Sequence, residues 1–321
     1  MTFLFFTTAG AIALLAIAPA LAQKYPSKPV RMIVPYSPGG PTDILARAVA
    51  QSLSESGGQP VIIDNKPGAS GNLGTALAAK APADGYTLVA VGIAYSVAPA
   101  LDAKIGYDPV KDLTPVVQFA SVNNLLVVHP SLPARSVKEL IAFAKARPDQ
   151  VSFASGGPGG AQHLAGELFN SLAGIRMTHI PYKGSAPGLT ALIGGEVIVG
   201  FADMLITLPH VKAGKLRALA VTGSTHSGLM PELPTVAEAG LPGYAVTAWF
   251  GLLAPAGTPP EIITQLNGDT VKSFRTAQMK ERLAALGADA AAGSPEQFAA
   301  FLRNEMAKWA KVVKAAGIRG E

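Results

Sequence analysis

The residues best suited to chemistry lie where a short apolar run meets glycines, in the segment V-R-M-I-V-P-Y-S-P-G-G-P-T-D at 30–43. The apolar run has strand length, and the turn cluster at 37–41 can continue neither strand nor helix. Thr42 or Asp43 is predicted to cap the helix that follows. Such a turn directs backbone N–H groups and a positive helix end at an anion. The residues alone leave two alternatives open, a small-anion site and a plain strand–helix connection.

Other kinds of chemistry find little support in the sequence. No Gly-Lys-Ser/Thr follows the first turn and no G-x-G-x-x-G is present, so the turn is not a nucleotide loop. The five histidines form no H-x-x-x-H or H-E-x-x-H pair, which argues against a catalytic metal. Neither Ser70 nor Ser155 lies in G-x-S-x-G, and His163 is more typical of a helix start than of a general base. We therefore expect no enzyme activity, no metal and no cofactor.

A few polar or aromatic side chains near strand ends have two interpretations each. Asp43 is a helix cap, a ligand-orienting group, or both. Asp203 comes after an apolar run and is either a turn former or a polar residue of a cleft. Lys183 could pair with an anion, although a solvated turn lysine is the simpler interpretation. Trp249 and Phe250 are expected in the core.

Composition limits the class of protein. The chain has 321 residues, 49% of them hydrophobic and 15% charged, which is typical of a globular protein long enough for two domains. Cysteine is absent, so disulfides and thiolate metal sites are excluded. The net charge of +5 comes without a run of five or more Lys/Arg, so we expect no nucleic-acid partner.

The amino-terminal segment predicts export. Residues 1–22 are apolar and end in Ala-Leu-Ala before Gln23, which is the pattern of a secretory signal peptide and its cleavage site. The segment departs from the pattern because it contains no Lys or Arg; a misplaced start codon or an uncleaved anchor would explain this. We expect cleavage at Ala22 and a periplasmic protein.

Alternating strands and helices predict a parallel α/β sheet. Strands are predicted at 30–34, 59–65 and 86–91, and each runs into a loop rich in Gly, Ser or Thr. In such sheets ligands bind beyond the carboxyl ends of the strands, where these three loops would gather.

A second domain is predicted to repeat this arrangement. Two strands, 116–120 and 125–128, are expected to be joined by a connection at 121–124 that crosses into the second domain. The glycine turn 155–160 and the helix that follows it repeat the pattern of the first turn. The chain crosses back at 245–255, and a long amphipathic helix over 295–316 is expected to cover the first domain. The predicted division is a signal peptide at 1–22, domain 1 at 23–122 and 246–321, and domain 2 at 123–245.

Taken together, a set of motifs resembles one family. The motifs, in chain order, are YP (25–26), VPYSPGGPTD (34–43), NKPGASGNLG (65–74), ADGYTL (83–88), YDPVKDLTP (107–115), SGGPGGAQHLAGE (155–167), HIPYKG (179–184), GKLRALAVT (214–222) and PTVAEAG (234–240). The chain resembles the Bug extracytoplasmic solute receptors, the substrate-binding subunits of tripartite tricarboxylate transport systems. Each motif is weak by itself, but the ordered set is highly specific.

The resemblance implies a type II periplasmic binding protein, in which two α/β domains joined by crossing strands close over a small carboxylate. It implies membrane transporter subunits as partners, and a monomer is the default for such receptors. Residues matching the family's ligand loops are Ser37, Gly39, Gly40, Thr42, Asp43, Ala69, Ser155, His163 and Asp203. Tyr36, Tyr95, Ser96 and Lys183 complete our candidate ligand-binding set. Neutral N–H donors at helix ends bind a carboxylate without burying a Lys or Arg.

Two loops depart from the family pattern. The loop after the third strand usually carries Thr-His or Ser-His followed by Asn-Pro, but 92–99 here has no histidine and adds Tyr95. Where many members have Phe-Asp-Asn, this chain has Phe-Ala-Asp at 201–203. We therefore expect an aromatic or less polar carboxylate over citrate. A ligand sensor that presents its closed form to a membrane signalling protein, and an enzyme built on the same fold, remain as alternatives.

Overall fold

The computed structural model describes residues 25–101 and 104–317, so the predicted signal peptide lies outside the described residues. The strands are β1 Val30–Val34, β2 Val61–Asn65, β3 Thr87–Gly92, β4 Leu113–Val128, β5 Ser152–Ser155, β6 Thr178–Pro181, β7 Val199–Asp203, β8 Arg217–Val221, β9 Thr247–Pro255 and β10 Ala288–Ala290. The helices are α1 Pro41–Gly57, α2 Asn72–Ala79, α3 Ile93–Leu101, α4 Val137–Lys145, α5 Ala161–Ala173, α6 Ser185–Gly194, α7 Met204–Lys212, α8 Pro260–Phe274, α9 Ala277–Ala285 and α10 Pro295–Ala316.

The strands form a sheet in the order β2-β1-β3-β9-β4-β7-β5-β6, with β8 and β10 also paired to β4. β1 pairs in parallel with β2 and β3, and β5 pairs in parallel with β6 and β7. Each half therefore has a central strand, β1 or β5, whose carboxyl end leads into a glycine turn and a helix. The predicted alternation of parallel strands and helices is thus present in both halves.

The long strand β4 links the two halves. Up to Asn123 it pairs with β9, and from Asn124 it pairs with β7 and β8. The division of the chain into two moving domains near this point stays a prediction. The expected break between two strands at 121–124 is wrong, because β4 is one continuous strand. Its polar residues have neighbours on both sides: Ser121 pairs with Trp249 of β9 and Asp289 of β10.

Two other expectations about local structure are wrong. The segment after β3 is helix α3, which begins at Ile93, and not a loop. β7 runs to Asp203, so this carboxylate belongs to the end of the strand and does not follow it. The apolar residues 93–98 of α3 are largely buried, and burial of that face stabilises a helix where glycine and serine suggested a turn.

The C-terminal helix α10 packs on α3 and β4. Phe298 and Trp309 are buried, and Phe298 meets Trp249 of β9 edge to face with ring centroids 5.8 Å apart. The Glu305 carboxylate accepts hydrogen bonds from the indole N–H groups of Trp249, at 3.2 Å, and Trp309, at 2.8 Å. This shared acceptor ties α10 to β9, and both tryptophans are core residues as predicted for Trp249.

Close packing beneath α10 gives a stability prediction. A Cβ at Gly251 would lie 2.1 Å from Cζ of Phe298, so Gly251→Ala should destabilise the fold by about 1–3 kcal/mol through overpacking. Gly268→Ala in the exposed middle of α8 is the control, since no atom lies within 4 Å of its Cβ position, and it should stabilise by about 1 kcal/mol. Urea unfolding of both variants measures the difference; equal stabilities would contradict this packing.

Candidate functional site

The first glycine turn is held by Asp43. Gly40, not Thr42 or Asp43, is the N-cap of α1, and it makes no side-chain cap bond; the predicted side-chain cap is therefore wrong. The Asp43 carboxylate instead accepts hydrogen bonds from the backbone N–H of Gly39 at 3.0 Å, from Asn65 Nδ2 at 2.9 Å, and from two guanidinium nitrogens of Arg47, each at 3.0 Å. Asp43 thus anchors the turn from within the helix.

Burial by itself would raise the pKa of Asp43, but the hydrogen bonds from Arg47, Gly39 and Asn65 hold it below the usual range. The group is therefore ionised, and its charge is neutralised by Arg47 four residues along the helix. Ser37 and Gly39 are exposed, while Thr42 is buried. The backbone N–H groups of this turn thus lie next to an ion pair, Asp43 with Arg47, that has no net charge.

The second loop of the first half has a strained backbone beside Tyr36. Ala69 and Ser70 have positive φ values of 47° and 54°, in a conformation that costs about 1–2 kcal/mol per non-glycine residue. Both residues are exposed. A Cβ at Gly71 would lie 3.0 Å from the Tyr36 ring, so the loop packs closely on that ring. Burial raises the pKa of the Tyr36 phenol, which therefore stays neutral.

The structure does not place Tyr95 as the sequence suggested. The Tyr95 side chain is only 3% exposed, stacks on Tyr107 with centroids 6.0 Å apart, and donates its hydroxyl to the carbonyl of Pro109. Ser96 is 1% exposed and donates to the carbonyl of Ile93. Both belong to the packed interior of α3, so the expectation of an added aromatic pocket wall is corrected.

The second glycine turn matches the first position by position. Gly160 is the N-cap of α5 with φ −73° and ψ 163°, against −78° and 166° at Gly40. The His163 Nδ1 atom accepts a hydrogen bond from the Gly159 N–H at 3.1 Å, just as Asp43 accepts from Gly39. The third helical residue thus closes each turn, with a carboxylate in one half and a neutral imidazole in the other.

A histidine pair lies beneath the second turn. The rings of His163 and His179 stack with centroids 3.9 Å apart, and His179 Nε2 lies 2.6 Å from Ser155 Oγ. The Ser155 hydroxyl also accepts from the Gly157 N–H at 3.1 Å. Burial lowers the pKa of His163 to about 3, with a smaller contribution from His179, whose own pKa is lowered by burial to about 4. Both rings are therefore neutral near pH 7.

Gln162 connects the second turn to the end of β7. Its Oε1 accepts from the Gly156 N–H at 2.6 Å, and its Nε2 donates to Asp203 Oδ2 at 3.0 Å. Asp203 is 6% exposed and is the N-cap of α7 by position, but its side chain makes no cap bond. Lys183 is exposed, with no side-chain partner among the contacts of the described residues.

The second turn packs against the first half of the molecule. Ala161, the first residue of α5, packs against the apolar cluster of the first half that also contacts Tyr36. A Cβ at Gly159 would lie 2.6 Å from Leu101 of α3. Ser155, His163 and Asp203 thus lie around the second turn, and Asp43 lies at the first.

Sequence reasoning missed several supporting side chains. They are Asn65, which also donates to the Tyr36 carbonyl, Arg47, Gln162 and His179. Asn65 ends a predicted strand and Arg47 lies one turn after Asp43, so both could have been found from spacing. His179 and Gln162 could not, because their partners are 24 and 41 residues away in sequence.

Within residues 25–101 and 104–317, no three or more His, Asp or Glu side chains are grouped so that they could hold a metal ion. Among the helices of the described part of the chain, none is long and apolar enough to cross a membrane.

The neutral histidine pair predicts acid sensitivity. The unfolded chain binds protons on His163 and His179 near pH 6.5, whereas the folded protein binds them only near pH 3–4. Stability is therefore present above pH 6.5 and falls with decreasing pH, by about 1.4 kcal/mol per pH unit for each histidine that titrates only in the unfolded chain. Urea unfolding between pH 8 and 5 should show this slope, and His179→Gln should reduce it. An unchanged slope in that variant would contradict the assignment.

A known family matches most of the chain. Residues 45–318 match the family described as "Tripartite tricarboxylate transporter family receptor". The chain is 40% identical over 318 residues to Protein BugT of Bordetella pertussis, a match that covers 98% of this chain and 96% of BugT.

Solved structures are similar in fold. The R. palustris protein Rpa4515 with adipate is 41% identical, with a TM-score of 0.87 covering 92% of this chain and 99% of that one. MatC from Rhodopseudomonas palustris with bound malate is 32% identical, with a TM-score of 0.83 covering 90% and 100%. These similarities confirm the predicted fold class, an α/β protein of the periplasmic-binding type.

Proposed function

We propose that this chain, which belongs to the tripartite tricarboxylate transporter receptor family, captures a small organic dicarboxylate in the periplasm and delivers it to membrane transporter subunits. The observation that carries the proposal is the equivalence of two helix starts. α1 and α5 each begin after a glycine turn, and the N-cap residue of each makes no side-chain capping bond. We propose that both starts face one cleft between the two halves.

Each helix start suits one carboxylate. Its first-turn N–H groups have no partner within the helix, and the helix dipole adds about half a positive charge at that end. Two such ends favour a ligand with an anionic group at each end. The proposed contacts comprise Tyr36, Ser37, Gly39, Gly40, Thr42, Asp43 and Ala69 from the first half, with Ser155, His163 and Asp203 from the second.

The relatives favour an aliphatic ligand. Rpa4515 was solved with adipate and MatC with bound malate, which are both aliphatic dicarboxylates. Tyr95 suggested an aromatic ligand, but its ring and hydroxyl are occupied within the core. We therefore propose an aliphatic dicarboxylate. Lys183 is exposed just before α6. We propose that it contacts only ligands that are long enough to reach it.

We also propose that the Ser155–His179 contact serves binding and not catalysis. A serine nucleophile needs a base that can hold its proton. Burial lowers the pKa of His179 to about 4, so this histidine is a weak base. The same family membership supports a non-enzymatic receptor.

We propose that a ligand that contacts both halves closes the cleft between them. We propose that the segments 23–122 with 246–321, and 123–245, move as two bodies about the point where β4 changes partners. A ligand shifts this equilibrium only by its difference in affinity for the two states. We propose a monomer, with each molecule carrying one ligand.

A thermal-shift screen of the chain from Gln23 tests the proposal. Adipate, malate, citrate and benzoate would be compared with the neutral amide of each acid, since only binding to the folded state raises the melting temperature. We expect a rise of several degrees with an aliphatic dicarboxylate and none with its diamide. A rise in melting temperature with benzoate alone would show that the ligand is an aromatic carboxylate and not an aliphatic dicarboxylate. Shifts with the diamides as large as with the acids would overturn the anion site.

A further inference from the structure

An unpartnered buried atom lies directly opposite Asp203. Asn124 of β4 and Asp203 of β7 are paired residues in the antiparallel ladder, and their side chains share one face of the sheet. Side chains paired in this way have Cβ atoms about 4.5–5.5 Å apart. Asn124 is 0% exposed, and its Oδ1 finds no hydrogen-bond donor among residues 25–101 and 104–317. An acceptor left without a donor in the interior costs about 1–3 kcal/mol.

The orientation of the Asn124 amide is fixed. Its Nδ2 donates to the carbonyl of Phe201 at 3.1 Å, and a carbonyl can only accept. Exchange of the amide nitrogen and oxygen would break this bond and place two acceptors together. The unpartnered atom is therefore an oxygen, which requires a donor from a neighbouring group.

Asp203 lacks a positive partner. The groups that face it are the Gln162 amide of α5, which donates a hydrogen bond to its carboxyl group, the Ser185 hydroxyl of α6, which lowers its pKa, and Asn124 of β4. None of them carries a charge. The titratable side chain nearest along α5 is His163, which is neutral and stacks on His179.

The ion pairs of the described residues agree with this, since none of them includes Asp203. An isolated buried carboxylate is among the most costly groups in a protein interior. Burial raises the pKa of Asp203, and the hydrogen bonds from Ser185 and Gln162 lower it only in part.

We propose that Asp203 is a neutral carboxylic acid in the folded receptor and that its proton is donated to Asn124 Oδ1. One proton then explains both the unpaired acid and the unpartnered amide oxygen. Oδ2 of Asp203 remains the acceptor for Gln162, so Oδ1 carries the proton. The bond joins β7 to β4 at the point where β4 changes partners. The hydrogen bond between Gln162 and Asp203 connects β7 in turn to the second glycine turn.

The consequence for ligand binding rests on the proposed function. A neutral Asp203 removes from the second half of the proposed cleft one negative charge that would repel a carboxylate. Asp43 in the first half is ionised but neutralised by Arg47. Asp203 acts here as a positioning residue whose protonation state keeps the anion site neutral.

The test compares Asp203→Asn with Asp43→Asn by urea unfolding of the ligand-free chain between pH 4.5 and 8. A proton retained only in the folded state makes the contribution of Asp203 to wild-type stability fall as pH rises above the usual aspartate pKa, until the folded pKa is reached. Asp203→Asn removes this loss. The ratio of its folding equilibrium constant to that of wild type should therefore rise with pH. The rise should be about tenfold per pH unit between the usual aspartate pKa and the folded pKa of Asp203. The histidine pair is present in both proteins and cancels in the ratio.

Asp43→Asn is the matched control, for which no such rise is expected. Asp43 has a lowered pKa, so its stabilisation is already present above the usual aspartate pKa, and the relative stability of this variant should stay nearly constant between pH 4.5 and 8. A constant or falling ratio for Asp203→Asn would overturn the proposal and indicate an ionised Asp203, with a buried water as donor to Asn124. Because no ligand is used, this result is independent of whether a dicarboxylate binds.

Discussion

Asp43→Ala is expected to weaken dicarboxylate binding by about 30- to 100-fold, equivalent to roughly 2–3 kcal/mol. The carboxylate holds the Gly39 N–H, the Asn65 amide and the Arg47 guanidinium, so its loss releases the first glycine turn. Asn65 and Arg47 would also be left without their acceptor. Calorimetric titration of the variant with adipate would measure the loss of affinity.

Asp64→Ala is the matched control for this prediction. Asp64 likewise forms ion pairs, with Arg31 and Lys66, but these pairs lie outside the first glycine turn and its side chain is 28% exposed. A pair of this kind contributes about 0–1 kcal/mol to stability, and affinity should be unchanged. Equal losses of affinity in the two variants would show that the effect of Asp43 is general destabilisation.

Gly156→Val is expected to reduce affinity by about 100-fold or more, because overpacking there displaces the second turn. A Cβ at this position would lie 2.9 Å from the Ser185 backbone nitrogen and 3.0 Å from the Gly184 carbonyl carbon. Backbone atoms cannot move aside as a side chain can. The Gly156 N–H would also lose its bond to Gln162, which connects the turn to Asp203.

The control for Gly156→Val lies in the same half of the molecule. Gly194→Ala, at the end of α6, has no atom within 4 Å of its Cβ position and should leave affinity unchanged. Both variants should be titrated with adipate well below their melting temperatures, so that the folded state is compared. Normal binding by folded Gly156→Val would show that the second turn is not part of the site.

Glycine and proline made the turns predictable. The Pro and Gly residues at 35–40 and 156–160 stop their strands, and helices begin directly afterwards at Pro41 and Ala161. The caps were less predictable, because polar residues that look like N-caps lie inside the first turn of each helix. Asp43 and His163 reach back to the glycine before the cap, which is a tertiary detail that spacing does not reveal.

The errors have a common physical cause, since long-range packing overrides local preference. Ile93–Leu101 contains serine and proline, yet burial against α10 and the second half makes it a helix. The polar residues of β4 stay in the strand because partners far along the chain accept them, as Phe201 does for the Asn124 amide. The contacts of His179 with Ser155 and of Gln162 with Asp203 likewise depend on the complete fold.

Calorimetric titration of the chain from Gln23 with adipate, its monoamide and its diamide is the decisive test of a site built from two helix starts. The three ligands have nearly the same length and differ in the number of anionic ends. If each helix start holds one carboxylate, affinity should fall stepwise, by at least about tenfold for each carboxylate replaced, or roughly 1.4 kcal/mol. Asp43→Ala and Gly156→Val should each reduce this dependence. Binding of the diamide as tightly as adipate would contradict the proposed site, because the two helix starts would then not be recognising carboxylates.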